Sequence, residues 1–317
     1  MTLKDKIENH KGGYLFYGLT PPKFSTDEAS IQTIAANQIA RLQGINLDAL
    51  VLYDIQDESA RTEMPRPFPF MQTLDPGFYS KHYLQELVIP KIIYKSVGKF
   101  SQGSFQSWLT ENPNQIEYAV FVGSPSAHDS GLTLQEAYEI KQASDSKLMI
   151  GGVTIPERHL KKEDEHIRVS KKREHGCQFF ISQCVYSLDH AKDFLSDYYY
   201  STETGNTPLA PIIFTLTPCG SLKTLQFMEW LGIHIPKWLK NDLKNCEDIL
   251  SRSMDICRTV AKELLEYCRI KNIPIGFNIE SVAIRKAEID ASIELLREVE
   301  MMQRASALKN QLLQGNK

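Results

Sequence analysis

One group of side chains able to do chemistry lies in DIQDESARTEMPRPFPF, residues 54–70. It sets Asp54, Asp57, Glu58, Arg61 and Arg66 among three prolines and the aromatic pair Phe68 and Phe70. Carboxyl groups here could give or take a proton, and guanidinium groups could hold an anion. Mixed charges in a loop are ordinarily solvated, but the prolines stiffen this one and favour a binding role. A second concentration is IPERHLKKEDEHIRVSKKREHG, residues 155–176. Glu165, Arg168 and Lys172 follow helical spacing and can share one face, where the two cations could clamp phosphates. His159 could act as an acid, a hydrogen-bonding group or a helix cap; with no partner at metal-ligand spacing, no metal is expected. Single polar groups close two apolar runs: Ser124 after VFVG, and Gln183 at the end of CQFFISQ. A glutamine there offers donor and acceptor together to a polar heterocycle.

These groups recur at the ends of apolar runs, which identifies the elements that must position them. Eight strands are predicted: 14–19, 49–54, 91–97, 117–123, 147–153, 178–183, 211–216 and 274–279. They are nearly continuous in Val, Ile, Phe and Tyr, as parallel strands buried on both faces are. Helical patterns separate most of them, two opened by capping boxes at Ser25–Glu28 and Thr133–Glu136, and one continuous over 159–175. Eight alternating units predict an α/β fold, a single (β/α)8 TIM barrel over residues 1–305 with a polar tail at 306–317 that frays. Ligands of such barrels bind at the carboxyl ends of the strands. The tandem glycines Gly151–Gly152 inside a strand imply close packing against them.

Composition narrows the partners. The formal charge of −3 gives no case for nucleic acid, and a small neutral or anionic ligand fits better. No apolar run of membrane-spanning length and no apolar leader is present, so a cytoplasmic protein without membrane association is expected. Six cysteines without a CxxC pair are expected to be buried free thiols.

Several stretches are similar to one family. IGGVTIPERHLKKEDEHIRVSKKREHGCQFFISQCVYS, PLAPIIFTLTPCGSLKTLQFMEWLGIHIPKWL and the double proline Pro21–Pro22 resemble the methylenetetrahydrofolate reductases over about residues 14–300. The resemblance implies FAD as cofactor, NAD(P)H as co-substrate and a folate or related pterin as substrate, in one-carbon metabolism and methionine biosynthesis. A homo-oligomer is also compatible with it. It places Glu165, Arg168, Lys171, Lys172, His159 and Ser124 toward the flavin, and Gln183 toward both flavin and folate. Lys223 and Phe227 fall on substrate-contacting positions, and Ile155 stands where the family usually has Tyr.

Two departures bear on the reaction. Gly18 stands where the family carries the glutamate that protonates the folate, and Ser124 where it carries an aspartate close to the flavin. In the implied reaction, hydride passes from NAD(P)H through flavin to the one-carbon unit of 5,10-methylenetetrahydrofolate after a proton opens its ring. A replacement acid is therefore required. Asp57 and Glu58 are the expected substitutes, with Asp54, Arg61 and Glu280 as further substrate contacts and Asp54 and Glu280 as further candidate acids. The alternative is a folate- or flavin-binding barrel without reductase chemistry, serving as a sensor or accessory protein. A different enzyme using Lys95 or Lys99 as a Schiff-base lysine is a third reading.

Overall fold

A computed structural model describes residues 1–112, 114–125, 131–203 and 208–314, without the side chains of Arg61, Lys161, Thr202, Glu203, Leu313 and Gln314. Eight parallel strands close into one barrel in sequence order. They are β1 (Tyr14–Leu19), β2 (Ala49–Leu52), β3 (Lys91–Ser96), β4 (Tyr118–Val122), β5 (Met149–Thr154), β6 (Phe180–Cys184), β7 (Ile212–Leu216) and β8 (Ile275–Glu280). Each lies within a few residues of its sequence expectation. Closure joins β1 to β8 with Gly18 opposite Glu280, a pairing of chain ends that fixes the site described below.

The helices are α1 (Leu3–Glu8), α2 (Glu28–Leu42), α3 (Pro76–Tyr83), α4 (Gln102–Glu111), α5 (Leu134–Gln142), α6 (Pro156–Lys162), α7 (Glu165–Glu174), α8 (Leu188–Glu203), α9 (Leu222–Trp230), α10 (Lys237–Asn245), α11 (Ile249–Lys271) and α12 (Lys286–Gln314). The expected helix over 159–175 is two helices, broken at Glu163 in the left-handed region (φ 50°). The cap of α2 is Asp27, whose carboxylate accepts from Ser30 N, rather than Ser25. The box at Thr133–Glu136 forms as expected. α12 runs through Gln314, so residues 306–314 extend the last helix where a frayed tail was expected.

Side chains alternate along each strand between two cores. Tyr14, Phe16, Val51, Tyr94, Val120, Phe179 and Ile213 fill the barrel, and Leu3 and Ile7 of α1 join them. Since α1 precedes β1, it plugs the amino-terminal end. The larger core lies between strands and helices. The tandem glycines have a packing reason on both faces. A Cβ on Gly151 would lie 2.5 Å from the Phe179 ring, and one on Gly152 would lie 2.8 Å from the Phe180 ring. All six cysteines are free thiols, and all but Cys246 are buried. No helix of the described residues is long and apolar enough to cross a membrane.

Candidate functional site

The inward residues that end the strands form a polar floor at the carboxyl end of the barrel. Asn278 and Glu280 of β8 face inward two residues apart, as the pleat dictates. Asn278 Nδ2 donates to the Tyr53 hydroxyl at 2.8 Å and to Thr215 Oγ1 at 3.2 Å. The Tyr53 hydroxyl hydrogen-bonds the Glu280 carboxyl, and the Cys184 thiol donates to Glu280 Oε1 at 3.1 Å. The ring of Tyr94 packs edge-on against Tyr53 at 4.8 Å.

Gly18 explains why this network fits. A Cβ there would lie 2.8 Å from the Tyr53 hydroxyl and 3.0 Å from Glu280 Oε2. The space an acidic side chain on β1 would use is filled by a carboxyl from β8 and a phenol from the end of β2. Burial raises the Glu280 pKa above the usual carboxylate range, against the lowering hydrogen bonds from Tyr53, Cys184 and Asn278. Burial and Glu280 together push the Cys184 thiol upward as well. With only 9% of its surface exposed, Glu280 is a carboxyl biased toward the protonated form at the carboxyl end of the barrel. Tyr53, Cys184 and Asn278 were missed in the sequence, where Asn and Glu inside the otherwise apolar GFNIE were their available signal.

The acid-rich stretch behaves differently. Asp54 accepts from Ser96 N at 2.8 Å and from Lys99 Nζ at 2.5 Å, tying the end of β2 to that of β3. Asp57 is exposed, and Ser59 donates to its Oδ1 through both N (3.0 Å) and Oγ (2.6 Å). These bonds hold its carboxyl below the usual range, which favours the ionised form and makes it a poor proton donor. Glu58 is half-buried in the same loop, and Arg61 lies in a short 3-10 turn, Ser59–Arg61. Lys95 points out of the barrel to Asp75, 2.7 Å away, so it does not reach the mouth.

From Ile55 the chain runs as a strap over the rim and returns to the β1–α2 loop, where Lys23 and Thr73 pair as an antiparallel bridge. On the way it docks on α9. Arg66 stacks over Phe70, Phe227 and Trp230 at 4.9–5.4 Å. Phe68 packs edge-on to Phe227 at 5.3 Å, and Lys223 Nζ lies 4.5 Å from the Phe68 ring centre. Trp230 Nε1 donates to Met64 O at 3.0 Å. Phe227 thus sits half-buried at the rim under the strap, beside the exposed Lys223. Gln183 Nε2 donates to Leu231 O at 3.1 Å, which orients it beside the end of α9.

The six expected flavin contacts do not converge in this way. Glu165 is fully buried, and its Oε1 accepts from Thr154 Oγ1 (3.0 Å) and Ile155 N (2.8 Å), fastening β5 to α7. Lys172 Nζ donates to the Val153 carbonyl, and burial lowers its pKa. His159 is buried among outer helices with Nε2 3.0 Å from Asp197 Oδ2. With His166 these two make a trio whose donor atoms lie within 4.8 Å of one another, the one metal-competent group among the described residues. Arg168 is chelated by Asp164 at 3.1 and 3.2 Å but keeps an exposed face. Lys171 is exposed, and Ser124 is half-buried at the β4 rim. Glu165, Lys172 and His159 are thus each engaged in hydrogen bonds within the fold.

Comparisons with known proteins place this geometry. The family profile described as methylenetetrahydrofolate reductase matches residues 136–274. An uncharacterized protein from Clostridium thermocellum that binds two copies of 5-methyl-5,6,7,8-tetrahydrofolic acid is 48% identical, with a TM-score of 0.84. The match covers 95% of this chain and 99% of that one. Dihydropteroate synthase from Thermus thermophilus, solved with 4-aminobenzoate, is 11% identical, with coverages of 93% and 94% and a TM-score of 0.47. No curated protein matches. By its near-complete overlap with the folate-binding relative and its match to the family profile, the chain belongs to the methylenetetrahydrofolate reductase family.

Proposed function

We propose that the chain binds a reduced, one-carbon-carrying folate at the carboxyl mouth of the barrel, with Glu280 as the acid in reduction of the one-carbon unit. The observation that carries this reading is the Glu280 carboxyl in the side-chain space of Gly18. Burial favours its protonated form, the form a general acid requires. With 5,10-methylenetetrahydrofolate, Glu280 would give its proton to a ring nitrogen as the adjacent carbon–nitrogen bond opens to the iminium. The electron pair of that bond stays on the nitrogen. A hydride from NAD(P)H would complete the reduction to the methyl group, and solvent would return the proton to Glu280. The Tyr53 hydroxyl would stabilise the carboxylate left behind. Gln183 and Lys223 supply an amide and a cation at the same rim.

The folate-binding relative supports the ligand class. Oxidation of NADH or NADPH that depends on 5,10-methylenetetrahydrofolate, followed by absorbance, tests the reaction. Folate-dependent oxidation is expected; absence of folate binding overturns the reading. A second reading, a folate-binding barrel without hydride transfer, draws on the engagement of Glu165, Lys172 and His159 in the scaffold. Folate binding with no nicotinamide oxidation, and no flavin bands in the purified protein, would favour it.

A further inference from the structure

We propose that a second reduced folate places its pterin ring in the cavity under the β2 strap, apart from the Glu280 floor. This rests on the folate reading above and adds a second site with its own chemistry. The cavity has a volume of about 270 Å³, and its lining includes Gln56, Asp57, Phe70, Gln72, Gly98 and Lys99. That is slightly below the roughly 300–1,000 Å³ of sites for drug-sized ligands. It suits a fused two-ring head with its tail outside, and it is too small to enclose a dinucleotide.

The lining matches a pterin edge. The ring's N3–H and 2-amino group form an adjacent donor pair that an ionised carboxylate accepts. Asp57 is the carboxylate in the lining, and Ser59 favours its ionised form. Both Ser59 bonds fall on Oδ1, which leaves Oδ2 to accept from the ring's donors. The property that disqualifies Asp57 as an acid therefore qualifies it as an acceptor. Phe70 offers a ring for stacking, with the Arg66 guanidinium 5.4 Å from its centre. Gln56 is oriented by donating to Gly123 O at 3.2 Å. Lys99 keeps 48% of its side chain exposed beside Asp54 and can meet a tail carboxylate. Gly98 closes the wall against Ser124, 2.9 Å from where a glycine Cβ would stand.

Isothermal titration of the full chain with 5-methyltetrahydrofolate tests this. Wild type should take up two equivalents, as the relative does. Asp57→Ala and Phe70→Ala should each abolish one equivalent or weaken it by roughly tenfold or more, leaving the other unchanged. Asp57→Asn, a gentler change at an exposed position, should act in the same direction. Glu280→Gln should leave the strap-site equivalent intact. Two equivalents of unchanged affinity in Asp57→Ala and Phe70→Ala would overturn the proposal, as would a single wild-type equivalent insensitive to both. No uptake at all would overturn the folate reading itself.

Discussion

Two regions of the rim carry carboxyl groups, and they use them in opposite ways. The loop after β2 has three acids within five residues, Asp54, Asp57 and Glu58. Asp54 is spent on backbone and Lys99 contacts, and Asp57 is held ionised by a serine. The end of β8 has one acid, buried against a phenol, a thiol and an amide. Counting acids favours the loop; the chemistry of proton donation favours β8. A carboxyl becomes a useful acid near neutrality when burial raises its pKa, and exposure with hydrogen bonds to the charged form does the reverse.

Replacing Glu280 by Gln should break this contrast most directly. Folate-dependent turnover is expected to fall by roughly 10²–10⁴-fold, the usual worth of general acid assistance, while titration still shows folate bound. Glu58→Gln should leave turnover nearly unchanged. If the loop variant is the slower of the two, the assignment is reversed.

Gly18→Ala sharpens the comparison by geometry. The added methyl meets Tyr53 and Glu280 at 2.8–3.0 Å, an overpacking expected to cost roughly 1–3 kcal/mol in thermal or urea unfolding. Turnover should fall with it, because the displaced groups are those proposed to hold the proton.

Glu157 shows that burial raises a pKa away from the mouth as well. It is buried near the start of α6, with its pKa pushed up to about 8. The folded chain therefore holds a proton that the unfolded chain releases above about 4.5. This stability contribution is fully present below about 4.5 and is lost as pH rises toward about 8, at up to roughly 1.4 kcal/mol per pH unit. Glu157→Gln should flatten that slope in urea melts between pH 5 and 8, on the order of the same slope.

Tyr53→Phe should have the smallest effect. The Tyr53 hydrogen bond lowers the Glu280 pKa, so its removal raises that pKa further. The alkaline limb of the pH–rate profile should move upward, with a loss in unfolding free energy of roughly 0.5–1.5 kcal/mol. A downward movement would show that Tyr53 does not act on Glu280 in this way.

The barrel was legible because its strands are continuous apolar runs, a signal that survives without knowledge of partners. Short helices were less so: α3 and α4 carry Gly77 and Gly103 near their starts, which blurs helical periodicity. The single pattern across 159–175 concealed a break, because Glu163 takes a left-handed conformation that its residue type does not announce. In the site, Gly18 was readable as a missing acid. Its replacement was readable only as one candidate among four, Glu280 beside Asp54, Asp57 and Glu58, because Glu280 reaches Gly18 through strand pairing between chain ends. Glu165 and Lys172 kept their expected helical face, but that face turned toward β5, an orientation that helical spacing alone does not determine.

The strap has a consequence for how the chain is made. Met64 and Trp230, joined across it, are 166 residues apart, roughly 10–30 s of synthesis at ordinary elongation rates. For that interval Phe68 has emerged without the helix that will cover it. An apolar segment left waiting is open to pairing with the strands of a neighbouring nascent chain. Pro65, Pro67 and Pro69 remove every backbone donor from one edge of the segment, so strands can pair with it along the other edge alone. The prolines that stiffen the finished loop also protect the unfinished protein from its neighbours.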